Sequence, residues 1–363
     1  MVKNEMYISK INLENFRNYE KQELNIDKGL NIFIGNNAQG KTNIIESIYI
    51  SSIGKSFRTN IDREMIKMNS SNAKVHIEYM KSDRENSIDI LLDSQKTKQV
   101  KLNGIKLDKL SQIVGNIQTV LFSPDELQVL KQLPGVRRKF FDISISQIKP
   151  MYLYHILEYN KILKQRNALL KQMKFDKSLI DTIDIWDEKL INAGNVLIEN
   201  RIKYVEKINL KITDRHLYIS DNKENLVLQY LPSVSNKEEF ASKLKKGLQV
   251  DIQNGYTAVG PHKDDYAFYI NDILLNKFGS QGQQRSGILS YKLAEIDNLY
   301  EEYQQKPILL LDDVTSELDK NRIEKLLKNI QGYQTIVTCT DIDNFKVLSG
   351  YKLFRVNEGN VFL

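Results

Sequence analysis

Gly35, Asn36, Asn37, Ala38, Gln39, Gly40, Lys41 and Thr42 spell G-x-x-x-x-G-K-[ST], and each fixed position of that pattern has a physical reason. Gly35 and Gly40 permit backbone angles that turn several N–H groups toward one phosphate, Lys41 reaches the β and γ oxygens, and Thr42 offers a hydroxyl to Mg²⁺. A helix opening through Lys41, Thr42 and Asn43 adds its positive end. Far downstream, Ile308, Leu309, Leu310 and Leu311 run into Asp312 and Asp313. An apolar strand ending in carboxylates places Asp312 where it can hold Mg²⁺ through water or Thr42, and Asp313 where it can polarise an attacking water. Together these residues predict a site for ATP with Mg²⁺, with Lys41, Asp312 and Asp313 in catalytic roles. Many ATPases of this layout have glutamate where Asp313 stands; aspartate is one methylene shorter, so slow hydrolysis is expected.

A second phosphate-type loop lies in KFGSQGQQRSGILSY, residues 277–291. Its FGSQGQQR stretch resembles the signature motif of ABC-type ATPases, in which a Ser and a Gly precede a helix. One P-loop already wraps one side of a triphosphate, so another anion-binding helix start is useful when it caps the nucleotide held by a second subunit. Ser280, Gly282 and Gln283 are therefore expected to act in trans, and the pattern predicts an ATP-dependent homodimer. Ser316, Glu317, Leu318 and Asp319 follow the Asp312 strand as the D-loop does in that class.

The elements that must position these residues are legible in outline. YISKINLENF and GLNIFIG read as strands, the second buried, and KTNIIESIYISSIG resumes with helical spacing at Ile44, Ile45, Ile48 and Tyr49. From Ala73 to Leu110 short alternating segments, with Asn103-Gly104 between two of them, predict an antiparallel sheet. Two long helical segments follow, about Met151 to Met173 and about Ile183 to Leu217, the second with Trp186, Leu190, Ala193, Leu197, Tyr204 and Ile208 on one face. Joined by the polar link Lys174 to Asp181, they predict an antiparallel hairpin. β-type signals return near Gly255, and the chain closes with PILLLDD, a helix over Asn321 to Ile330, QTIVTCT and an edge-like YKLFRVNEGNVFL. The expected fold class is α/β: an ABC-type P-loop ATPase head with an antiparallel β subdomain, residues 1–130 plus 255–363, and a helical insertion lobe, residues 131–254.

The chain's 41% hydrophobic and 27% charged residues are ordinary for a globular protein. No window approaches the ~18 apolar residues of a membrane span, and the N-terminus lacks the apolar core of a signal peptide, so a cytoplasmic protein without a membrane partner is expected. The single cysteine, Cys339, excludes an internal disulfide framework and a cysteine-rich zinc site. The formal net charge of +6 is mild, but Lys131 to Lys174 holds about ten Lys or Arg against Asp142 and Glu158. That excess suits a phosphate backbone or an acidic partner, and equally a solvated helix face.

Beyond these patterns the chain resembles the RecF family, recombination-mediator ATPases of bacteria related to the SMC heads without their long coiled coils. The resemblance rests on NFRNY before the P-loop, GKSFRT after its helix, FSPDEL, PGVRRKFFD, VGPHKDD at 259–265, FGSQGQQRS and LLLDDVTSELD, and runs essentially end to end. It implies that Asp312 and Asp313 are the Walker B pair, that Ser280, Gly282 and Gln283 act across a dimer, and that Asp319 belongs to the D-loop. It implies a weak, DNA-stimulated ATPase that binds gapped, double-stranded and single-stranded DNA and promotes loading of RecA with RecR and RecO. The switch histidine of many ABC ATPases has no counterpart after QTIVT, where Cys339, Thr340 and Asp341 stand; Thr340 is the substitute. A Q-loop is expected near Gln118 to Asp125. Arg58 is placed at the nucleotide or DNA, or equally in a surface salt bridge; Arg137, Arg138 and Lys139 are placed at DNA, Arg138 equally well paired inside the fold; and His262 is read as a hydrogen-bonding loop residue. The alternative, an ATPase subunit of a membrane transporter, shares the three nucleotide motifs but not the insertion or the family motifs. A structural SMC-type tether would need arms far longer than this insertion.

Overall fold

Near-continuous apolar strands need cover on both faces, which a parallel sheet flanked by helices supplies. In the computed structural model, which describes residues 5–346 and 349–363, six strands follow the order Asn360–Phe362, Lys352–Asn357, Leu30–Ile34, Thr335–Cys339, Ile308–Asp312, Thr119–Phe122. All neighbours are parallel except the hairpin formed by the first two. The register sets Asp312 beside Thr338 and Cys339 beside Ile34. The P-loop and the paired aspartates thus leave the same carboxyl edge, where open α/β sheets bind ligands.

The alternating segments form a second sheet in the order Tyr19–Asn25, Met6–Phe16, Asn72–Lys81, Arg84–Asp93, Gln99–Leu102, Ile105–Lys106, antiparallel throughout. Asn103 and Gly104 turn its last hairpin with φ of 50° and 80°, the paired positive angles that Asn-Gly supplies at least strain. The P-loop helix Lys41–Ile53 packs on strands of both sheets. Burial all round explains why Ser47, Ser51 and Ser52 are tolerated there: each hydroxyl donates back to a carbonyl of its own helix. These two sheets and the P-loop helix belong to one unit, Met1–Gln128 with Ile288–Leu363.

The other unit is Val129–Gly287. Its long helices are Pro134–Ile148, Pro150–Met173, the 37-residue Ile183–Ile219 and Lys237–Asn254. A three-stranded sheet orders Ile273–Leu274, Asp265–Ile270 and Leu226–Leu231. The expected helical hairpin is present, with the long helix spanning ~55 Å. Gly194 interrupts no part of it; a Cβ there would lie 2.7 Å from the Phe240 ring, so glycine admits the neighbouring helix. Two arginines organise the interior. Arg166 reaches Asp187 at 2.6 Å and Asp251 at 2.8 Å, while Arg201 reaches Asp264 at 2.7 Å and Asp142 at 3.0 Å. Residues 255–287, expected in the ATPase head, belong here instead, because Asp265–Ile270 pairs with Leu226–Leu231 along its whole length.

Candidate active site

The P-loop follows from its glycines. Gly40 caps the helix at φ +112°, and a Cβ on it would fall 2.5 Å from the Asn18 side chain. Gly35 runs so close to the Lys352–Asn357 strand that a Cβ would meet the Val356 carbonyl oxygen at 2.3 Å. Asn36, Asn37 and Ala38 form the exposed crest. Lys41 Nζ donates to the carbonyls of Gly35 at 2.6 Å and Asn36 at 2.8 Å, which holds the ammonium across the loop. Burial lowers the Lys41 pKa, and Asp313, Cys339 and Asp312 oppose that shift.

Asp312 ends its strand with two hydroxyl donors on one oxygen: Thr42 at 2.9 Å and Thr338 at 2.7 Å. Burial raises the Asp312 pKa above its ordinary value, partly offset by those two hydrogen bonds. A buried carboxylate beside a threonine hydroxyl, all oxygen and next to a phosphate-type loop, fits Mg²⁺, which prefers few protein ligands and completes its shell with phosphate and water. Among the described residues no cluster of three or more His, Cys, Asp or Glu forms a dedicated metal cage. Asp313 adopts φ +49°, an uncommon conformation for a non-glycine residue. It is held there by its N–H donating to the Thr338 carbonyl and hydroxyl oxygens.

The Ser280 loop lies in the second unit. The Ser280 N–H donates to Gln283 Oε1 at 2.9 Å and Ser280 Oγ accepts from the Gln283 N–H at 3.2 Å, a reciprocal cap for helix Gln281–Tyr303. Gln283 Nε2 donates to Glu224 at 2.8 Å. Gln283 therefore braces the loop that presents the exposed Ser280 and the half-buried Gly282. Asp319 caps helix Lys320–Asn329, accepting from the Arg322 N–H at 2.9 Å. Thr340 is exposed just past the Thr335–Cys339 strand.

Arg58 sits at the first turns of the P-loop helix, donating to Asn43 at 2.8 Å and approaching Glu46 at 3.4 Å. Its charge favours the Asp312 carboxylate. His262 is the expected loop hydrogen-bonder: Nδ1 lies 2.7 Å from the Tyr159 hydroxyl and Nε2 3.0 Å from the Thr257 carbonyl. Burial lowers its pKa to about 4, so the ring is neutral.

One expectation needs correction. Arg137 is buried in a two-pronged pair with Asp265, at 2.8 and 2.6 Å, and also serves the Leu130 and Gln132 carbonyls, so it is a strut and not a DNA contact. Arg138 donates to the Asp264 carbonyl at 2.5 Å, leaving Lys139 as the exposed member of the trio. In the basic run the arginines 137, 138 and 166 turn inward, while Lys131, Lys139, Lys149, Lys161, Lys164, Lys171 and Lys174 are exposed. The Q-loop expected near Gln118 to Asp125 spans the strand Thr119–Phe122 and both its flanks. The parallel register sets Thr119 beside Ile308 and Phe122 beside Leu311, so Gln118 lies at the edge opposite Asp312. The other end of that strand carries Ser123, Pro124 and Asp125.

Sequence reasoning passed over Glu46, Thr338, Asn18 and Glu224. Glu46 is buried on the P-loop helix and collects Arg17 at 2.6 Å and Ser56 at 2.5 Å, which explains why NFRNY and GKSFRT flank the loop.

The RecF/RecN/SMC N terminal domain family matches residues 7–360. "DNA replication and repair protein RecF" of Lachnoclostridium phytofermentans is 43% identical over 358 residues, covering 98% of this chain and 99% of that protein. The chain belongs to the RecF family. The protein of the same description from Clostridium acetobutylicum is 42% identical over 362 residues, with 98% and 99% covered. A solved structure described as "Structure of the recombination mediator protein RecF-ATPrS in RecFOR pathway" superposes with a TM-score of 0.91 at 36% identity, covering 98% of this chain and 97% of that one. The Smc head domain from Pyrococcus furiosus, at 16% identity and a TM-score of 0.56, shares the fold. The ABC-type head expected from the motifs is thus the fold of this chain.

Proposed function

We propose that the chain is an ATP-dependent DNA-binding protein of DNA repair and replication. ATP binding joins two copies, the joined copies hold duplex DNA near a single-strand gap, and slow, DNA-stimulated hydrolysis to ADP and phosphate releases them. The observation that carries this reading is the pairing of Thr42 and Asp312 beside the P-loop, together with a second capped loop at Ser280. Lys41 and the loop N–H groups bind the phosphates, Thr42 and Asp312 hold Mg²⁺, Asp313 orients the attacking water, and Ser280 with Gly282 of the partner copy caps the γ-phosphate. When bound, Mg²⁺ neutralises charge on the phosphate oxygens. ATP works as a timer: its binding shifts a monomer–dimer equilibrium and its loss resets it.

The relatives' description as DNA replication and repair proteins and the solved structure's placement in a RecFOR pathway support cytoplasmic work with RecO and RecR, and through them with RecA. The transporter alternative draws no support from these relatives, and among the described residues no helix is long and apolar enough to cross a membrane. The test is fluorescence anisotropy of a labelled gapped duplex, with and without ATP–Mg²⁺, across a salt series. Binding that requires ATP, weakens with salt and is lost in Ser280→Arg is expected. ATP-dependent dimerisation without any DNA binding would overturn the DNA assignment.

A further inference from the structure

Gln39 is held from outside the P-loop by two turns that come from opposite ends of the chain. Its carbonyl oxygen accepts from Asn18 Nδ2 at 2.9 Å and from the Gly359 N–H at 3.2 Å, and its side-chain Oε1 accepts from the Glu358 N–H at 2.5 Å. Asn18 also accepts from Asn43 Nδ2 at 2.8 Å, so one side chain ties the loop before Lys41 to the helix after it. Tyr19 donates from its hydroxyl to the Gly40 carbonyl at 3.0 Å. Contact at this joint is tight: a Cβ on Gly359, at φ +73°, would lie 2.5 Å from the Asn18 carbonyl oxygen, and one on Gly40 would lie 2.5 Å from the Asn18 amide.

We infer that Asn18 and the Glu358-Gly359 turn are positioning residues for the phosphate cradle. In a planar trans peptide the C=O and N–H point in opposite directions. Two donors on the Gln39 carbonyl therefore fix the Gly40 N–H in the direction away from both turns. The loop is set before nucleotide arrives, and less conformational freedom is lost on binding. Gln39 serves as the handle of this clamp through both its carbonyl and its amide. The inference rests on the nucleotide reading proposed above.

The test is titration of a fluorescent ATP analogue with Mg²⁺ into the full chain, beside thermal melting without nucleotide, for wild type, Lys41→Ala, Asn18→Ala, Gly359→Asn and Asn18→Ala/Gly359→Asn. Asparagine tolerates positive φ, so Gly359→Asn mainly tests the close approach to Asn18. Both single variants should bind the analogue about 10-fold more weakly, and the double variant no more weakly than the worse single, because both act at one joint. Affinities equal to wild type in Asn18→Ala, changes in melting temperature alone, or losses that multiply would each overturn the inference. Should Gly359→Asn not fold, Gln39→Ala replaces it, with the same non-additivity expected against Asn18→Ala. Wild type and Lys41→Ala binding alike would instead sink the nucleotide reading itself.

Discussion

At the residue scale, Asp312 and Asp313 are adjacent carboxylates in different situations. Asp312 is buried and bonded by two threonines, which suits a cation ligand; Asp313 leaves the strand in a left-handed conformation that turns it from its neighbour's path. Asp313→Asn should therefore keep ATP affinity and ATP-dependent dimerisation while lowering turnover by about 100-fold or more, read from single-turnover phosphate release. Turnover equal to wild type would remove Asp313 from the chemistry. The basic run makes the contrast between legible and hidden roles. Arg137→Ala leaves Asp265 and two carbonyls without their donor, so it should cost about 3 kcal/mol of stability, measured by denaturant unfolding. The P-loop and the paired aspartates could be read from the sequence because each is contiguous. Arg137 was misread because its partner lies 128 residues away, and nothing local distinguishes an inward arginine from a solvated one. Thr338 and Glu46 were passed over for the same reason: a threonine in an apolar strand and a glutamate in a helix acquire meaning only from what the fold sets against them.

At the element scale, helix Gln281–Tyr303 carries Lys292 and Glu295, which meet Glu126 of FSPDEL. The Lys292 ammonium lies 3.1 Å from an oxygen of each glutamate, and Lys292 and Glu295 are buried. Two carboxylates share one cation, and burial lifts the Glu126 pKa from 4.5 to about 7, with Lys292 opposing the shift. In that window the folded chain keeps a proton that the unfolded chain has lost, so stability falls as pH rises through it. Glu126→Gln leaves a matched Lys292–Glu295 pair. Its melting temperature should change less between pH 5 and pH 8 than that of wild type, and an unchanged pH slope would show that Glu126 is not the group responsible. The helices and strands themselves were largely legible, since the periods of 2 and 3.6 survive in the long hairpin and the alternating sheet. Residues 255–287 were misassigned because a strand's partner is invisible in its own sequence. Their β-type pattern fitted either unit, and only the pairing with Leu226–Leu231 decides.

At the scale of the whole molecule, the P-loop lies in one unit and the Ser280 loop in the other, and the proposed dimer makes each ATP site from the P-loop of one copy and the Ser280 loop of its partner. That division can be tested by complementation. Lys41→Ala lacks the phosphate cradle and Ser280→Arg the cap, so neither variant alone should pair around ATP or hydrolyse it. Mixed, they form heterodimers in which one site carries both defects, while the other joins an intact cradle to an intact cap. Because an intact site forms only in a mixed pair, and each mixed pair has one working site of two, turnover should recover toward about half of wild type per chain as pairing saturates. If the Ser280 loop acted on its own chain's nucleotide, every chain would keep a defect and mixing would restore nothing. Recovery should also rise with protein concentration, because the working site exists only in the dimer.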